Sequence, residues 1–388
     1  MHTNSSWSTA LQEELIHFYQ EAVRTTSYSD QEGNLAHLIL KTMQHLDYDK
    51  AYIDPVGNVV GQVGNGDMTI HFDSHMDTVQ AGDAASWSHP PFSGEIVDGM
   101  LWGRGAVDMK GGLAASVFAA AQAKRKGLLE GKRIYVTCSV CEEYCDGVCL
   151  EHFYRDSGVR PDVCVICEPS DNVITLGHTG KLQARIRAEG VSAHGSAPEK
   201  GVNAVYEMAQ IIQRVEALNA TLQKTTGGTI VLSDISCVSA SLNAVPSSCE
   251  IYLDRRLRPG ETLSQAYHEM DELIRGKRAS WEIGTLRQTS WTGRQLDYTP
   301  AHEPWKISKE HPLTRCCADA YEAVFGVLPQ NYNFWDFGTN AVVPVGMGIA
   351  TIGFGPGDYK LAHMVNECCS VEKVKEAALF YTQLIAEL

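Results

Sequence analysis

Acidic and histidine side chains follow several apolar segments of this chain, at the points where strands would end. His75, Asp108, the pair Glu142-Glu143 and Glu168 each come after an apolar or glycine-rich run. These residue types supply the nitrogen and oxygen atoms that zinc and similar divalent metals bind in proteins. Because ligand sites of open α/β sheets lie at the carboxyl ends of strands, these side chains could converge on a metal centre.

None of these short motifs is specific by itself. With 14 histidines and 47 acids in 388 residues, chance supplies about one to two His-x-acid triplets and roughly five or six adjacent acidic pairs. An acid at a strand end is also a common helix cap or turn former. Spacing alone therefore leaves two interpretations open, the cap and the metal ligand.

The elements that must position these residues alternate between helix and strand. Helical periodicity predicts helices over about 9–22, where Thr9 and Gln12 fit a capping box, and over 33–46, about 109–126 and 371–388. Apolar runs predict strands over 58–63, 68–73, 133–140 and 162–167. Alternation of this kind predicts the α/β class, with a three-layer α/β/α catalytic domain.

The pattern changes after Gly180. Residues 182–189 alternate between apolar and polar, as in a strand with one buried face. A helix, two strands, a helix and a strand are predicted next, over about 202–218, 229–235, 249–253, 263–274 and 280–286. This β-α-β-β-α-β order is the ferredoxin-like arrangement. We therefore expect an inserted α+β domain, residues 181–292, within a catalytic domain formed by residues 1–180 and 293–388.

Composition and charge exclude several classes of function. The formal net charge is −15, and the basic run 124–126 is isolated, which disfavours nucleic acid as a partner. The amino-terminal segment has no basic patch followed by an apolar block, and the longest uncharged run, 340–357, contains Pro344 and Pro356. We therefore expect a cytoplasmic protein without a membrane partner, whose 12 cysteines are reduced thiols.

Six motifs occur in one order along the chain. They are His75-Met76-Asp77-Thr78-Val79, Gly103-Arg104-Gly105 through Asp108-Met109-Lys110-Gly111-Gly112, Glu142-Glu143, Glu168-Pro169, Ser192-Ala193-His194-Gly195-Ser196 with Gly201-Val202-Asn203-Ala204, and Gly355-Pro356-Gly357 with His363 and Asn366-Glu367. Together they closely resemble the co-catalytic dizinc amidohydrolases and peptidases, a family that includes aminoacylase, acetylornithine deacetylase, succinyl-diaminopimelate desuccinylase and related dipeptidases. The resemblance covers nearly the whole chain and implies that the inserted domain is a lid and dimerisation domain.

The resemblance implies two divalent metal ions, zinc or its neighbours cobalt, manganese or nickel. His75 and Glu168 would bind one ion, Glu143 and His363 the other, and Asp108 would bridge both. The donor chemistry agrees with these roles. Imidazole and carboxylate groups suit such ions, and three carboxylates offset most of the charge of two divalent cations.

Three further residues would serve catalysis. Neighbours in an extended segment point opposite ways, so Glu143 can bind metal while Glu142 faces a metal-bridging hydroxide and acts as general base. Asp77 would accept the proton of the His75 ring nitrogen that faces away from the metal. His194 resembles the family histidine that enters the partner subunit's site and hydrogen-bonds the developing oxyanion, which implies a homodimer.

Substrate binding is assigned to three positions by the same resemblance. Asn243 and Arg256 match lid positions that hold the substrate's carboxylate, and Gly355 lies in the last glycine-containing motif. A planar guanidinium suits a carboxylate through two parallel hydrogen bonds. Arg258 stays a rival of Arg256, because a strand over 249–253, if continued, places both side chains on one face.

The predicted reaction is hydrolysis of the amide C–N bond of a small carboxylate-bearing N-acyl or N-carbamoyl amino acid. A dipeptidase or carboxypeptidase of the same family is the alternative; Glu168, where dipeptidase-type members more often carry Asp, favours the acylase or carboxypeptidase side. A remote alternative is a cysteine-ligated metal or iron–sulfur protein, suggested by Cys138, Cys141, Cys145, Cys149, Cys164 and Cys167. Cysteine in apolar strands more often acts as a small hydrophobic residue.

Two features depart from the usual family pattern. Cys141 stands before the acidic pair, where an acidic or small polar residue is usual, and residues 335–340 (Trp-Asp-Phe-Gly-Thr-Asn) replace the usual loop before the last ligand. This segment resembles the selenium-metabolism-linked branch of the family, and we expect it to shape the substrate pocket. Because Cys141 and Cys145 flank the glutamates, we also expect oxidation there to lower activity.

Overall fold

A computed structural model describes residues 7–388. The amino-terminal segment, which the sequence predicts to carry no export signal, lies partly outside the described residues, because residues 1–6 are not described. The described helices are α1 Thr9–Arg24, α2 Gly33–His45, α3 Gly111–Arg125, α4 Val148–Ser157, α5 Ala204–Thr225, α6 Leu263–Ile274, α7 Pro312–Phe325, α8 Val342–Gly346 and α9 Val371–Glu387. In residues 7–388, no helix combines the length and the apolar character needed to cross a membrane.

The strands form one large sheet, a second sheet of five strands and two small sheets. They are β1 Lys50–Ile53, β2 Val59–Gly64, β3 Met68–His75, β4 Glu95–Val97, β5 Met100–Trp102, β6 Lys132–Ser139, β7 Val163–Ile166, β8 Thr175–His178, β9 Gly180–Glu189, β10 Thr229–Val238, β11 Ser248–Leu257, β12 Ala279–Ile283, β13 Leu286–Thr289, β14 Gln295–Tyr298, β15 Ala301–His302, β16 Trp305–Lys306, β17 Asn333–Trp335, β18 Ala350–Gly353 and β19 Cys368–Ser370.

The large sheet has helices on both faces. Its strand order is β1-β2-β6-β3-β7-β18-β8-β16, with β17 also paired to β8, and the central strands β6, β3, β7 and β18 are parallel. Alternate side chains of β2 show the two faces: Val59 and Val63 join the main core, whereas Val60 packs with Leu150 and Phe153 of α4. The predicted α/β class, with a sheet between helical layers, is confirmed.

The second sheet is antiparallel, in the order β10-β11-β9-β12, and β15 pairs with β9. The chain order β9-α5-β10-β11-α6-β12 with this strand order is the predicted ferredoxin-like arrangement. Its own core contains Leu182 and Ile186 of β9, Leu253 of β11, Met208 of α5 and Met270 of α6. The domain limits at residues 181 and 292 stay a prediction.

Two local predictions are wrong. Ser8, not Thr9, caps α1, because its hydroxyl accepts a hydrogen bond from the Leu11 N–H at 3.3 Å. The strand predicted over 280–286 ends at Ile283. At Gly284 an added Cβ would lie 2.5 Å from the ring of Tyr252, and beyond it the chain leaves the sheet to form the separate β13-β14 hairpin.

Small residues let α3 approach the sheet where the strands end. An added Cβ on Gly112 would lie 2.1 Å from the carbonyl oxygen of Cys167, the residue before Glu168. The following turns of α3 are rich in alanine and buried on all sides. This helix therefore supports the strand end that carries Glu168.

Candidate metal centre

Three parallel strands end side by side at one edge of the large sheet. β3 lies between β6 and β7, and its register pairs His75 with Ser139 and Asp73 with Ile166. Beyond these ends the chain continues from β6 to the Glu142-Glu143 pair and from β7 to Glu168. The strand order therefore places acidic residues on both sides of His75, as expected for the carboxyl edge of a parallel sheet.

Asp108 lies between two histidines. Its Oδ1 is 2.9 Å from Nε2 of His75, and its Oδ2 is 3.2 Å from Nε2 of His363. Glu143 Oε2 lies 3.1 Å from Nε2 of His363, whereas Glu168 Oε1 lies 3.6 Å from Nε2 of His75. One carboxylate oxygen of Asp108 thus faces each histidine, which is what a bridging ligand requires.

The donor set fits divalent metal ions. The ligand atoms of His75, Asp108 and Glu143 lie within 4.8 Å of one another, and so do those of His75, Glu142 and Glu168. Nitrogen and oxygen donors at this spacing suit zinc and its neighbours. Burial, together with neighbouring carboxylates, raises the pKa of Glu142 and Glu168 well above the ordinary value. A bound cation relieves such crowding of negative charge.

The two histidines also lie where positive charge is favoured. Burial alone would lower the pKa of His75, but its contacts with Asp108 and Asp77 raise it well above the ordinary value. Hydrogen bonds to Asp108 and Glu143 raise the pKa of His363 to about 10. The electrostatics of the site therefore select cations.

Comparison with known proteins identifies the family. The sequence model of peptidase family M20/M25/M40 matches residues 71–387. The chain belongs to this family. It is therefore a metal-dependent hydrolase, and the resemblance found in its six motifs is confirmed. The branch within the M20 family stays a prediction.

Relatives of this M20 protein match over nearly their whole length. YgeY of Escherichia coli K12 is 36% identical over 362 residues, which are 92% of this chain and 90% of YgeY. A succinyl-diaminopimelate desuccinylase of Cereibacter sphaeroides is 28% identical, covering 95% of this chain and 97% of the enzyme. The M20 metallo-carboxypeptidase Sso-CP2 of Sulfolobus solfataricus shares the fold, with a TM-score of 0.73 at 17% identity and coverage of 96% and 98%.

Asp77 lies completely buried behind this M20 metal centre. The acceptor nearest to Nδ1 of His75 is the backbone carbonyl of Asp77, at 2.9 Å, whereas its carboxylate Oδ1 is 3.5 Å away. The carboxylate instead accepts hydrogen bonds from the N–H groups of Glu142 and Glu143, both at 3.1 Å, and from the Ser29 hydroxyl at 2.6 Å. Asp77 therefore orients His75 through its backbone and the acidic pair through its side chain.

Glu32 is a second buried carboxyl group at this loop, and no pattern in the sequence points to it. Its Oε1 accepts a hydrogen bond from the Cys141 N–H at 3.0 Å. The carboxyl groups of Glu32 and Asp77 thus bind three consecutive N–H groups, those of residues 141–143. Cys141 has a φ of 57°, a left-handed conformation that helps successive N–H groups form an anion-binding concavity. Burial and the charge of Asp77 raise the pKa of Glu32 to about 8.

Glu32 provides a test of this backbone support. We expect Glu32→Ala to lower kcat by about tenfold to a hundredfold, as loss of outer-shell partners does at metal sites, because the N–H of Cys141 loses its acceptor. Glu32→Gln keeps a carbonyl oxygen there and should retain most of the activity. Both variants are compared with the wild type at saturating substrate. An equal loss in both would show that activity does not depend on the hydrogen bond that Glu32 accepts from Cys141.

Arg104 and Glu367 support the remaining two ligands. Glu367 Oε1 accepts hydrogen bonds from the N–H groups of Val107 and Asp108 at 2.8 and 3.0 Å. Its Oε2 binds Nη1 of Arg104 at 2.5 Å, and Nη2 of Arg104 donates to the His363 carbonyl at 3.2 Å. This buried ion pair therefore joins the loop that carries Asp108 to the loop that carries His363.

A cavity of about 280 Å³ opens onto the metal centre. Its lining residues are Asp108, Glu142, Glu143, Asp146, Glu168, Lys181, Arg256, Phe337, Gly338, Tyr359, Ala362 and His363. Of the two arginines considered for the carboxylate, Arg256 lines this cavity, whereas Arg258 forms an ion pair with Asp336. The presence of Phe337 and Gly338 confirms that segment 335–340 shapes the pocket.

Five of the predicted site residues do not line this cavity: His75 and Asp77, which are buried, and His194, Asn243 and Gly355. His194 and Asn243 line another cavity, of about 530 Å³, in the part of the chain that carries the second sheet. Gly355 packs behind Glu168, where an added Cβ would lie 2.4 Å from the Glu168 carbonyl. Its N–H donates to the Ser170 hydroxyl at 3.0 Å, so within one chain its backbone supports a strand end.

The cysteines near the acidic pair belong to the core. In residues 7–388, the side-chain groups that could hold a metal contain only histidine and carboxylate. Cys138, Cys141, Cys145 and Cys149 are buried, and burial raises the pKa of Cys145 to about 12. Buried, protonated thiols react slowly. The structure therefore disfavours both the iron–sulfur alternative and the expected sensitivity of these thiols to oxidation.

Proposed function

We propose that the protein hydrolyses the amide C–N bond of a small N-acyl or N-carbamoyl amino acid with a free carboxylate. One observation carries this proposal: the cavity has acids and histidine at the metal centre and two cations, Lys181 and Arg256, on another part of its wall. The cations supply charge for a carboxylate while the amide lies at the metals. A volume of about 280 Å³ favours a substrate of amino-acid size.

Each metal ion would be held by one histidine and one glutamate, with Asp108 shared between the two ions. His75 and Glu168 would bind one ion, Glu143 and His363 the other, and Asp108 would bridge them; zinc is the metal we propose. When bound, two such ions polarise the amide carbonyl and lower the pKa of a water molecule toward about 7.

Glu142 is the general base in this proposal. It lines the cavity on the His75 side, with Oε2 4.0 Å from Nε2 of His75, and its backbone is fixed by Asp77. Its carboxylate would take a proton from the attacking water and deliver it to the leaving nitrogen. Asn243, in the turn between β10 and β11, would complete the substrate site from the partner subunit.

A substrate panel tests the reaction. The zinc-loaded protein is incubated with N-acetyl and N-carbamoyl amino acids, with dipeptides, and with the primary amide counterpart of each. We expect hydrolysis of N-acyl or N-carbamoyl compounds that carry the carboxylate and weak activity on their amides. Cleavage of dipeptides alone would assign the alternative, a dipeptidase or carboxypeptidase. No cleavage of any compound would reject the proposal.

We also propose that the enzyme is a cytoplasmic homodimer joined through residues 181–292. β10 is the edge strand of the second sheet and exposes Val231, Ile235 and Val238. An edge strand with apolar side chains is a ready surface for pairing. His194 lines a different cavity from the metal centre, which suits a residue that acts on the partner's substrate. All 12 cysteines are free, as expected in a reducing compartment.

Mixed dimers test this arrangement. His194→Ala and Glu142→Ala should each be inactive alone, because each removes one part of every composite site. In a random mixture half of the dimers contain one intact site, so activity should return to about a quarter of the wild-type value. A monomer in sedimentation, with no recovery on mixing, would contradict the proposal.

A further inference from the structure

The cavity wall contains a row of basic side chains. Lys181 of β9 lies directly opposite Arg256 of β11, and opposite His302 of β15 on its other side. Directly opposed residues of antiparallel strands have Cβ atoms about 4.5–5.5 Å apart on the same face. Lys181 is therefore the centre of this row, and both Lys181 and Arg256 line the cavity.

The two cations are engaged to different degrees. Nε and Nη2 of Arg256 donate to both carboxylate oxygens of Asp254, at 2.7 and 2.9 Å, so one edge of its guanidinium is occupied. Lys181 Nζ lies 2.6 Å from one carboxylate oxygen, Oδ2 of Asp146, and 5.5 Å from the centre of the Tyr298 ring. An ammonium has three N–H donors, and this ion pair with a single oxygen leaves at least two of them for a ligand. Lys181 is also the more buried side chain, 9% exposed against 32% for Arg256, and screening by solvent is weaker there.

The surroundings of Asp146 leave room for a polar group. A Cβ on Gly338 would lie 2.7 Å from Oδ2 of Asp146 and 4.0 Å from Nδ1 of His178, so only glycine leaves this corner open. His178 is completely buried, and among residues 7–388 neither of its ring nitrogens has a hydrogen-bond partner. Buried polar groups nearly always have one. A ligand or water at this corner would complete the cluster.

We propose that Lys181 supplies most of the selectivity for the substrate's carboxylate and that Asp146 positions its ammonium. The ligand class is an amino-acid-sized carboxylate whose amide lies at the metal centre, so the inference rests on the proposed function. The Lys181 ammonium lies between the Asp146 carboxylate and the substrate's carboxylate. Asp146 follows Glu143 by three residues. The ion pair between Lys181 and Asp146 therefore connects β9, which carries the proposed carboxylate-binding cation, to the loop that carries the general base.

The test uses a ratio that cancels general defects: kcat/KM for the best carboxylate substrate divided by kcat/KM for its primary amide. The double variant Asp146→Asn/Lys181→Met replaces the ion pair by neutral groups and leaves no unpaired buried charge. We expect it to lower the ratio at least about tenfold. Asp146→Asn alone keeps the cation and a carbonyl oxygen that can position it, so the ratio should be kept. Lys124→Met, which breaks a remote surface ion pair with Asp49, is the control and should leave the ratio unchanged.

A binding measurement gives a readout without turnover. The zinc-loaded Glu142→Ala protein is titrated calorimetrically with N-acetylglycine and N-acetylglycinamide, with and without the double substitution. We expect the double substitution to weaken binding of the acid at least about tenfold and to leave binding of the amide nearly unchanged.

Two results would overturn the inference while the proposed function stands. In the first, the double variant has the same ratio of acid to amide kcat/KM as the wild type. In the second, Arg256→Met lowers this ratio and the double variant does not. If the wild type hydrolyses no member of the panel, the proposed function fails. The titration then decides the role of Lys181 by itself, and equal binding of the acid with and without the pair would overturn it.

Discussion

Replacing Glu142 by alanine is expected to lower kcat by about 10²- to 10⁴-fold, the usual contribution of a general base, while the protein still binds two metal ions. Glu142 lines the cavity, but its neighbour Glu143 is the residue that approaches both His363 and the Asp108 loop. Loss of Glu142 therefore removes the proton acceptor and leaves the proposed ligands in place. The measurements are kcat at saturating substrate and metal content by mass spectrometry.

The adjacent residue is the matched control. Glu143→Ala should lose bound metal together with activity, because it removes a proposed ligand. The comparison is needed because the ligand atom of Glu142 also lies within 4.8 Å of those of His75 and Glu168. Loss of metal from Glu142→Ala would make Glu142 a ligand, and full activity in that variant would exclude the general-base mechanism.

Replacing Asp108 by alanine is expected to reduce bound zinc from two ions per chain to one or none and to abolish activity. The physical reason is that its two oxygens face different histidines, at 2.9 and 3.2 Å, so its loss affects both positions. In the wild type, free zinc at 100 times its Kd should stabilise the fold by about 2.7 kcal/mol. This stabilisation should be largely absent from Asp108→Ala.

Calorimetric unfolding with and without zinc, together with metal content, checks this prediction. Asp319→Ala, at an exposed position of α7, is the control and should keep the zinc-dependent rise in melting temperature. Wild-type protein treated with a chelator gives the metal-free reference. Two ions per chain in Asp108→Ala would show that Asp108 does not bridge.

Much of the fold could be predicted because apolar strands and their order carry strong local signals. The ends of β3, β6 and β7 were predicted from short apolar runs, and the ferredoxin-like order from alternation and helical periodicity. Neither α4 nor α7 is predicted from the sequence. The spacing of Cys145 and Cys149 suggests metal ligation from the sequence alone. In the structure Cys145 precedes α4, and Cys149 is buried in the helix with Leu150 and Phe153.

The residues of the candidate site also fall into two groups, those that the sequence predicts and those that it does not. Residues next to strand ends could be found from the sequence. For Asp108, the two oxygens that face histidines support the ligand interpretation over the helix cap. Residues that support the site could not be found. Glu32 contacts a residue 109 positions later, and Asp146 meets Lys181 from another sheet. No local pattern records such contacts, because they arise only when distant segments pack together.

Glu32 and Asp77 hold residues 141–143 through backbone N–H groups. The conformation of this catalytic loop therefore depends little on the side chains of the loop itself. Backbone N–H groups are common to all residues except proline, so side chains in this loop could be exchanged without removing the hydrogen bonds that hold it. Tyr144, the next residue, is 50% exposed and free to vary. For directed evolution of new substrate preferences, position 144 is thus open to diversification, provided that Glu142, Glu143, Glu32 and Asp77 are kept.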